Sequence, residues 1–226
     1  LTGSLSVAHP PGPPRQRGGL RLRRITRYRA ILPGMSGDFF MPLIVLVGLP
    51  GSGKTTVGRS LARRLQLPFA DSDAVIEQRL GCSIRDYFDH QGEAAFRDIE
   101  QTVIDELTQG PPGVLATGGG AVLRPANRRH LRQRGTVIYL RASPEQLHRR
   151  LRHDTKRPLL QVDDPLARLR ALHAERDPLY RECAHFVLDA HGTSLSMLVG
   201  RIVMQLELMP GAGVPAAPPA SAPPSG

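Results

Sequence analysis

The stretch Pro42-Leu43-Ile44-Val45-Leu46-Val47-Gly48, running on into Leu49-Pro50-Gly51-Ser52-Gly53-Lys54-Thr55, decides the fold. Its first half is a short, wholly apolar run closed by glycine, the pattern of a strand buried on both faces of a parallel sheet. From Gly48 to Thr55 it matches GxxxxGK[ST], and an amphipathic pattern over 54–65 places that motif where a strand turns into a helix. Glycines at these positions let backbone N–H groups point inward with no Cβ in the way. The helix N-terminus adds the positive end of its dipole, and a lysine neutralises the β- and γ-phosphates. The hydroxyl of Thr55 suits a Mg²⁺ ion. Only Lys54 and Lys156 are lysines in the whole chain, so the match owes little to composition, and a glycine-rich turn that merely precedes a helix is the weaker reading. The expected nucleotide site comprises Gly51, Ser52, Gly53, Lys54, Thr55 and Thr56. The motif alone does not separate ATPase, GTPase, helicase and kinase. However, no NKxD-type base-reading loop is present, and the chain lacks both the size and the acid-ended strand of a helicase.

Outward from this stretch, short strand-like runs recur at 68–71, 114–117, 136–140 and 186–189. Between them lie amphipathic patterns at 73–80, 91–108, 126–134, 143–152, 164–182 and 194–208. Ser143-Pro144-Glu145 opens one of these cleanly, with serine as N-cap and proline in the first turn. Five strands interleaved with helices predict a three-layer α/β/α sandwich on a five-stranded parallel sheet.

The globular domain is expected over 41–208, which is long enough to bury a sizeable core. Residues 1–40 read as a basic leader without order: up to residue 37 they hold seven arginines, five prolines and six glycines and no acid. Three readings of it stay open: a translated stretch upstream of a start at Met35 or Met41, an organelle transit peptide, or a basic arm for nucleic acid. The tail 209–226 is almost wholly Pro, Ala, Gly and Ser and cannot bury enough apolar surface to order itself. The net charge of +10 resides mostly in the leader, because residues 38–226 carry 23 basic against 20 acidic side chains. A nucleic-acid partner is therefore not expected for the domain, which also has few aromatics for stacking. Cys82 and Cys183 form no CxxC or His/Cys cluster, so each reads as a buried structural thiol in a reducing compartment. No apolar run approaches the roughly 20 residues needed to span a bilayer.

Four further segments carry chemistry. Phe69-Ala70-Asp71-Ser72-Asp73 puts two carboxylates at the C-terminal end of the second strand, the edge at which open α/β sheets bind ligands. Both can look toward the phosphate loop, one reaching Mg²⁺ through water and the other an acceptor hydroxyl. Asp73 also reads as the N-cap of the next helix. Arg97 and Glu100 share a helix face, for which a solvated surface ion pair is the plain alternative. Val114-Leu115-Ala116-Thr117 runs into Gly118, Gly119 and Gly120, which are costly to order and so point to close backbone approach by a ligand. Arg157-Pro158-Leu159-Leu160 and Arg176-Asp177-Pro178-Leu179-Tyr180 each read, taken alone, as a solvated arginine beside a turn.

Taken in order, GLPGSGKT, DSD, FRDIE, TGGG, RPLL and RDPLY resemble the shikimate kinase family, of the nucleoside-monophosphate-kinase-like group of P-loop folds, over about residues 43–208. The resemblance implies strand order 2-3-1-4-5. It also implies ATP-dependent phosphorylation of the 3-hydroxyl of shikimate, a step of chorismate and aromatic amino-acid biosynthesis. It places Lys54 and Thr55 at the phosphates and Mg²⁺, with Asp71 in the metal's outer shell. Asp73 is then the catalytic base on the substrate hydroxyls. Arg97 and Arg176 grip the substrate carboxylate, with backbone contact from Gly118, Gly119 and Gly120, while Glu100 holds Arg97. Arg157 belongs to a mobile lid near the transferring phosphate and Arg150 lies against the adenine. The stretch 152–156 is short and polar where family lids vary. A gluconate kinase of the same fold is the nearest rival, and the FRxxE, GGG and RDPLY set favours shikimate. A cytoplasmic monomer without nucleic-acid or membrane partners is expected.

Overall fold

A computed structural model describes residues 43–151, 163–190 and 192–209. Five strands, β1 (Leu43–Val47), β2 (Phe69–Asp71), β3 (Val114–Ala116), β4 (Gly135–Arg141) and β5 (Phe186–Asp189), form one sheet in the order β2-β3-β1-β4-β5. All four pairings are parallel. The helices are α1 (Lys54–Leu65), α2 (Ser72–Leu80), α3 (Ile84–Thr108), α4 (Pro125–Arg134), α5 (Pro144–Leu151), α6 (Pro165–Cys183) and α7 (Leu195–Glu207). The three-layer architecture and the strand order are those expected.

The central strand shows why the layers form. Side chains alternate across a strand, so Leu43, Val45 and Val47 enter one core and Ile44 and Leu46 the other. The first core is closed by Ile104 of α3, Leu131 of α4, Leu147 of α5 and Leu169, Leu172 and Tyr180 of α6. The second is closed by Val57, Leu61 and Leu65 of α1 and Leu198, Ile202 and Leu206 of α7. A third, smaller cluster of Ile76, Phe96 and Val103, with Tyr87 and Phe88 against it, joins α2 to α3 beside the edge strand β2.

Three local details differ from the sequence reading. The helical segment before Gly92 reaches back to Ile84, with the Ser83 hydroxyl accepting from the Asp86 N–H as its N-cap. It escaped notice because Gly92, at φ 80° and ψ 172°, breaks the helix and interrupts its periodicity. Cys82 is exposed in the turn between α2 and α3, and only Cys183 is the buried thiol expected of both. Met209, assigned to the tail, packs against the second core.

The backbone of Gly92 lies in a region that is open essentially to glycine alone, although nothing stands within 4 Å of where its Cβ would be. Gly92→Ala should therefore lower stability by about 1–3 kcal/mol through strain alone. Gly200, inside α7 and equally free of neighbours, should respond in the opposite sense, with Gly200→Ala raising stability by about 0.4–1 kcal/mol. Urea denaturation of the two variants checks both signs.

Candidate active site

Because β3 is inserted between β1 and β2, three strands stop side by side: Ala116 is the register partner of both Leu46 and Asp71. The chain leaves the first two as loops tied together at once, for the N–H and the hydroxyl of Thr117 both donate to Leu46 O, at 3.1 and 3.2 Å. The loop after β1 is the phosphate loop. Gly51 (φ 80°) and Gly53 (φ 97°) take left-handed conformations, Gly53 capping α1 so that the helix N-terminus faces the cleft. The Lys54 ammonium donates to Gly48 O (2.8 Å) and Leu49 O (3.0 Å), folded across its own loop. Leu151, at the end of α5, lies over Gly51 and leaves no room for a Cβ there. Its neighbour Arg150 is exposed and donates to Ala190 O at 2.9 Å. Thr56 is exposed on α1, one residue beyond Thr55.

Asp71, the last residue of β2, has both carboxylate oxygens engaged. Oδ2 accepts from the Thr55 hydroxyl at 2.8 Å, and Oδ1 accepts from the Asp73 N–H at 3.1 Å. Asp71 is therefore the N-cap of α2, the part that Asp73 was read as filling, and Asp73 sits within the first turn with its carboxylate turned to the cleft against Gly118. Thr55 and Asp71 present hard oxygen donors together at the phosphate loop. Among the described residues no group of three or more His, Cys, Asp or Glu side chains gathers for a metal. A hydroxyl with one carboxylate is a donor set that fits Mg²⁺, which keeps several waters and takes its remaining ligands from phosphate oxygens.

The loop after β3 faces a cluster of charges. Each of its glycines is crowded by a side chain: Gly118 by the carboxylates of Asp73 and Glu100, Gly119 by the Pro50 ring, and Gly120 by the Arg97 guanidinium. The Gly118 N–H donates to the Ser72 hydroxyl at 2.9 Å, which anchors the loop to α2. Arg97 donates to Glu100 (2.7 Å) and to Glu93 (2.8 Å), and its guanidinium lies over the rings of Phe88 and Phe96. Glu100 is 1% exposed, so the Arg97–Glu100 pair belongs to the interior and not to the surface. Burial lifts the Glu100 carboxyl above the usual range despite the opposing pull of Arg97.

Arg176 lies within α6 and is 5% exposed, not solvated beside a turn as its motif alone suggested. Its Nη1 makes a long bond of 3.3 Å to Gly119 O, and its buried Nε has no hydrogen-bond acceptor, the nearest carboxylate being Glu175 at 3.7 Å. A buried guanidinium with an unpartnered Nε–H is costly unless an acceptor completes it.

The fold thus brings together Lys54, Thr55, Asp71, Asp73, Arg97, Arg176 and the three glycines, with Arg150 at the rim. Arg157 lies outside the described residues. Sequence reading overlooked Ser72, Glu93 and Tyr180, whose hydroxyl donates to Gly119 O at 2.5 Å. The signals were present as the middle of DSD and as spacings of four residues from Arg97 and Arg176.

A parallel sheet of this order, with a phosphate loop on β1 and a charged acceptor cleft beside it, defines a P-loop kinase for small acceptors. The family model for shikimate kinase matches residues 50–207. A shikimate kinase of Paracidovorax citrulli is 66% identical over 168 residues, covering 73% of this chain and 92% of that one. One of Ralstonia nicotianae is 57% identical, covering 80% and 94%. Among solved structures, shikimate kinase from Acinetobacter baumannii in complex with shikimate superposes with a TM-score of 0.71 at 45% identity, covering 74% of this chain and 93% of that one. The chain belongs to the shikimate kinase family.

Burial, with the charges of Asp71 and Glu100 beside it, pushes the Asp73 carboxyl from 3.8 up to about 6. A raised folded-state pKa means stability present at low pH and lost as pH climbs through the interval between those values. Asp73→Asn removes this cost while leaving the Asp71 cap intact. In metal-free protein the variant should be more stable than the parent at pH 8 by an amount on the order of 1–2 kcal/mol, allowing for lost attraction to the helix dipole. The difference should vanish near pH 4. Thermal unfolding across this range checks the sign.

Proposed function

We propose that the chain transfers the γ-phosphoryl group of ATP to the 3-hydroxyl of shikimate, giving shikimate 3-phosphate and ADP. The observation that carries this reading is the gathering of Arg97 and the buried, incompletely bonded Arg176 at the glycine loop, which stands beside the phosphate loop. Two planar guanidinium groups suit a carboxylate, which they bind in a bidentate manner that lysine does not reproduce. Asp73, between this cluster and Lys54, suits the hydroxyl end of the same small acid.

In this reading the phosphates of ATP lie on the N–H groups of Gly51, Ser52 and Gly53 and on Lys54, with Thr56 beside them. Lys54 exchanges its bonds to Gly48 O and Leu49 O for β- and γ-phosphate oxygens. Asp73 accepts the proton of the acceptor hydroxyl as the new O–P bond forms and the bond from the γ-phosphorus to the β–γ bridging oxygen breaks, with ADP leaving. Transfer of this kind asks the protein chiefly for alignment and charge neutralisation. Thr55, and Asp71 through water, would hold a Mg²⁺ ion, which when bound withdraws charge from the phosphates. Arg150 lies toward the adenine, and Arg157 is assigned to the transferring phosphate on the resemblance alone. We take the folded unit as a monomer, acting in the cytoplasm.

Release of ADP, coupled to a reporter reaction, should be stimulated by shikimate and not by gluconate; the opposite preference would overturn the reading. Hydrogen bonds to charged groups contribute about 1.5–3 kcal/mol each. Arg97→Ala and Arg176→Ala should therefore each lower kcat/KM for shikimate at least roughly tenfold while KM for ATP stays within a factor of about two. Asp73→Asn should lose roughly 10²-fold or more in kcat, the scale of general-base loss, despite its gain in stability.

A further inference from the structure

Tyr180 has no part in the mechanism above, yet its position ties it to the acceptor cleft. The side chain is fully buried, and its ring stacks on that of Tyr139 at 4.9 Å between centroids. Tyr139 is fixed in turn, donating its hydroxyl to Asp177 Oδ1 at 2.9 Å, while Arg181 donates to Asp177 Oδ2 at 2.6 Å. The Tyr180 ring is thus clamped, and its hydroxyl donates to Gly119 O at 2.5 Å. Burial raises the phenol above its ordinary pKa, so the O–H remains a donor at every working pH.

Arg176 stands four residues earlier on the same face of α6 and donates to the same carbonyl, but over 3.3 Å. A carbonyl oxygen has lone pairs for both donors. The geometry divides the work unevenly: tyrosine holds the loop closely and the arginine holds it loosely. If the tyrosine donor were absent, the loop would depend on Arg176, and a carboxylate would have to compete with Gly119 O for that guanidinium. Displacement of Gly119 would also move Gly120, which lies directly against the Arg97 guanidinium.

We propose that Tyr180 is a positioning residue for the acceptor carboxylate: its hydroxyl secures the Gly119 carbonyl, leaving Arg176 available to the carboxylate and keeping Gly120 against Arg97. The proposal rests on the reading that the two arginines bind the carboxylate of shikimate. It differs from a general packing role, which would weaken the fold without distinguishing one substrate from the other.

The test is steady-state kinetics on the full chain for Tyr180→Phe, Tyr139→Phe and Arg176→Ala. Phenylalanine keeps the ring and its stacking, and one lost hydroxyl is small against the stability of a domain, so the variant folds. Tyr180→Phe should raise KM for shikimate roughly five- to tenfold, the scale of one hydrogen bond, with kcat and KM for ATP within about twofold of the parent. With a cyclic triol lacking the carboxylate, parent and variant should have equal kcat/KM. Tyr139→Phe, which loses a comparable buried hydroxyl contact, should lower the melting temperature without changing KM for shikimate. A parental KM in Tyr180→Phe, the same loss with the carboxylate-free triol, or an equal shift in Tyr139→Phe overturns the proposal. If Arg176→Ala also leaves KM unchanged, the reading of the carboxylate site falls with it. A shifted Arg176→Ala beside an unshifted Tyr180→Phe removes the role of Tyr180 alone.

Discussion

The pairing of β1 with β3 is the constraint on which the cleft depends. These strands are adjacent in the sheet although Thr117 and its acceptor at Leu46 lie 71 residues apart in the chain. In a parallel sheet the loops that follow adjacent strands emerge on the same edge, and here the chain turns away from β1 and β3 in opposite directions. The phosphate loop and the glycine loop thus stand side by side, with Pro50 of one against Gly119 of the other. Asp71 completes the row from β2 and links it to α1 through Thr55. The phosphate loop, the Thr55–Asp71 oxygen pair and the glycine loop meet through one register.

Charge is the second theme. Glu100 and Arg176 are almost wholly buried and Arg97 nearly so, and interior charges are tolerated only when partners complete them. Glu100 and Glu93 both pair with Arg97, whereas the buried Nε–H of Arg176 has no acceptor. Asp73 is the counterpart beside Gly118, where burial and the neighbouring carboxylates disfavour its charge. Both positions thus carry a local cost in the free protein.

Much of the site was legible because its elements are local. The phosphate loop needs a strand, glycines at set intervals, a lysine and a helix start within a dozen residues, and all of these are consecutive. Amphipathic periodicity located the helices apart from the segment at 84–91, where Gly92 breaks the pattern. Asp71 and Asp73 were identified as a pair, but which of them caps α2 depends on backbone geometry two residues away. Cys82 and Cys183 carry the same side chain, and only packing makes one exposed and the other buried.

From the residues alone, the alternation of strands and helices and the phosphate loop were determined, since each is written in neighbouring side chains; the acceptor motifs took their meaning from their ordered resemblance to a family. The burial of Arg176 and Glu100, the anchoring of Gly118 by Ser72, and the meeting of Tyr180 with Gly119 were decided only by tertiary structure. Those contacts join α6, α3 and α2 to a loop far away in the chain, and whether an arginine is solvated or desolvated depends on what the fold lays over it.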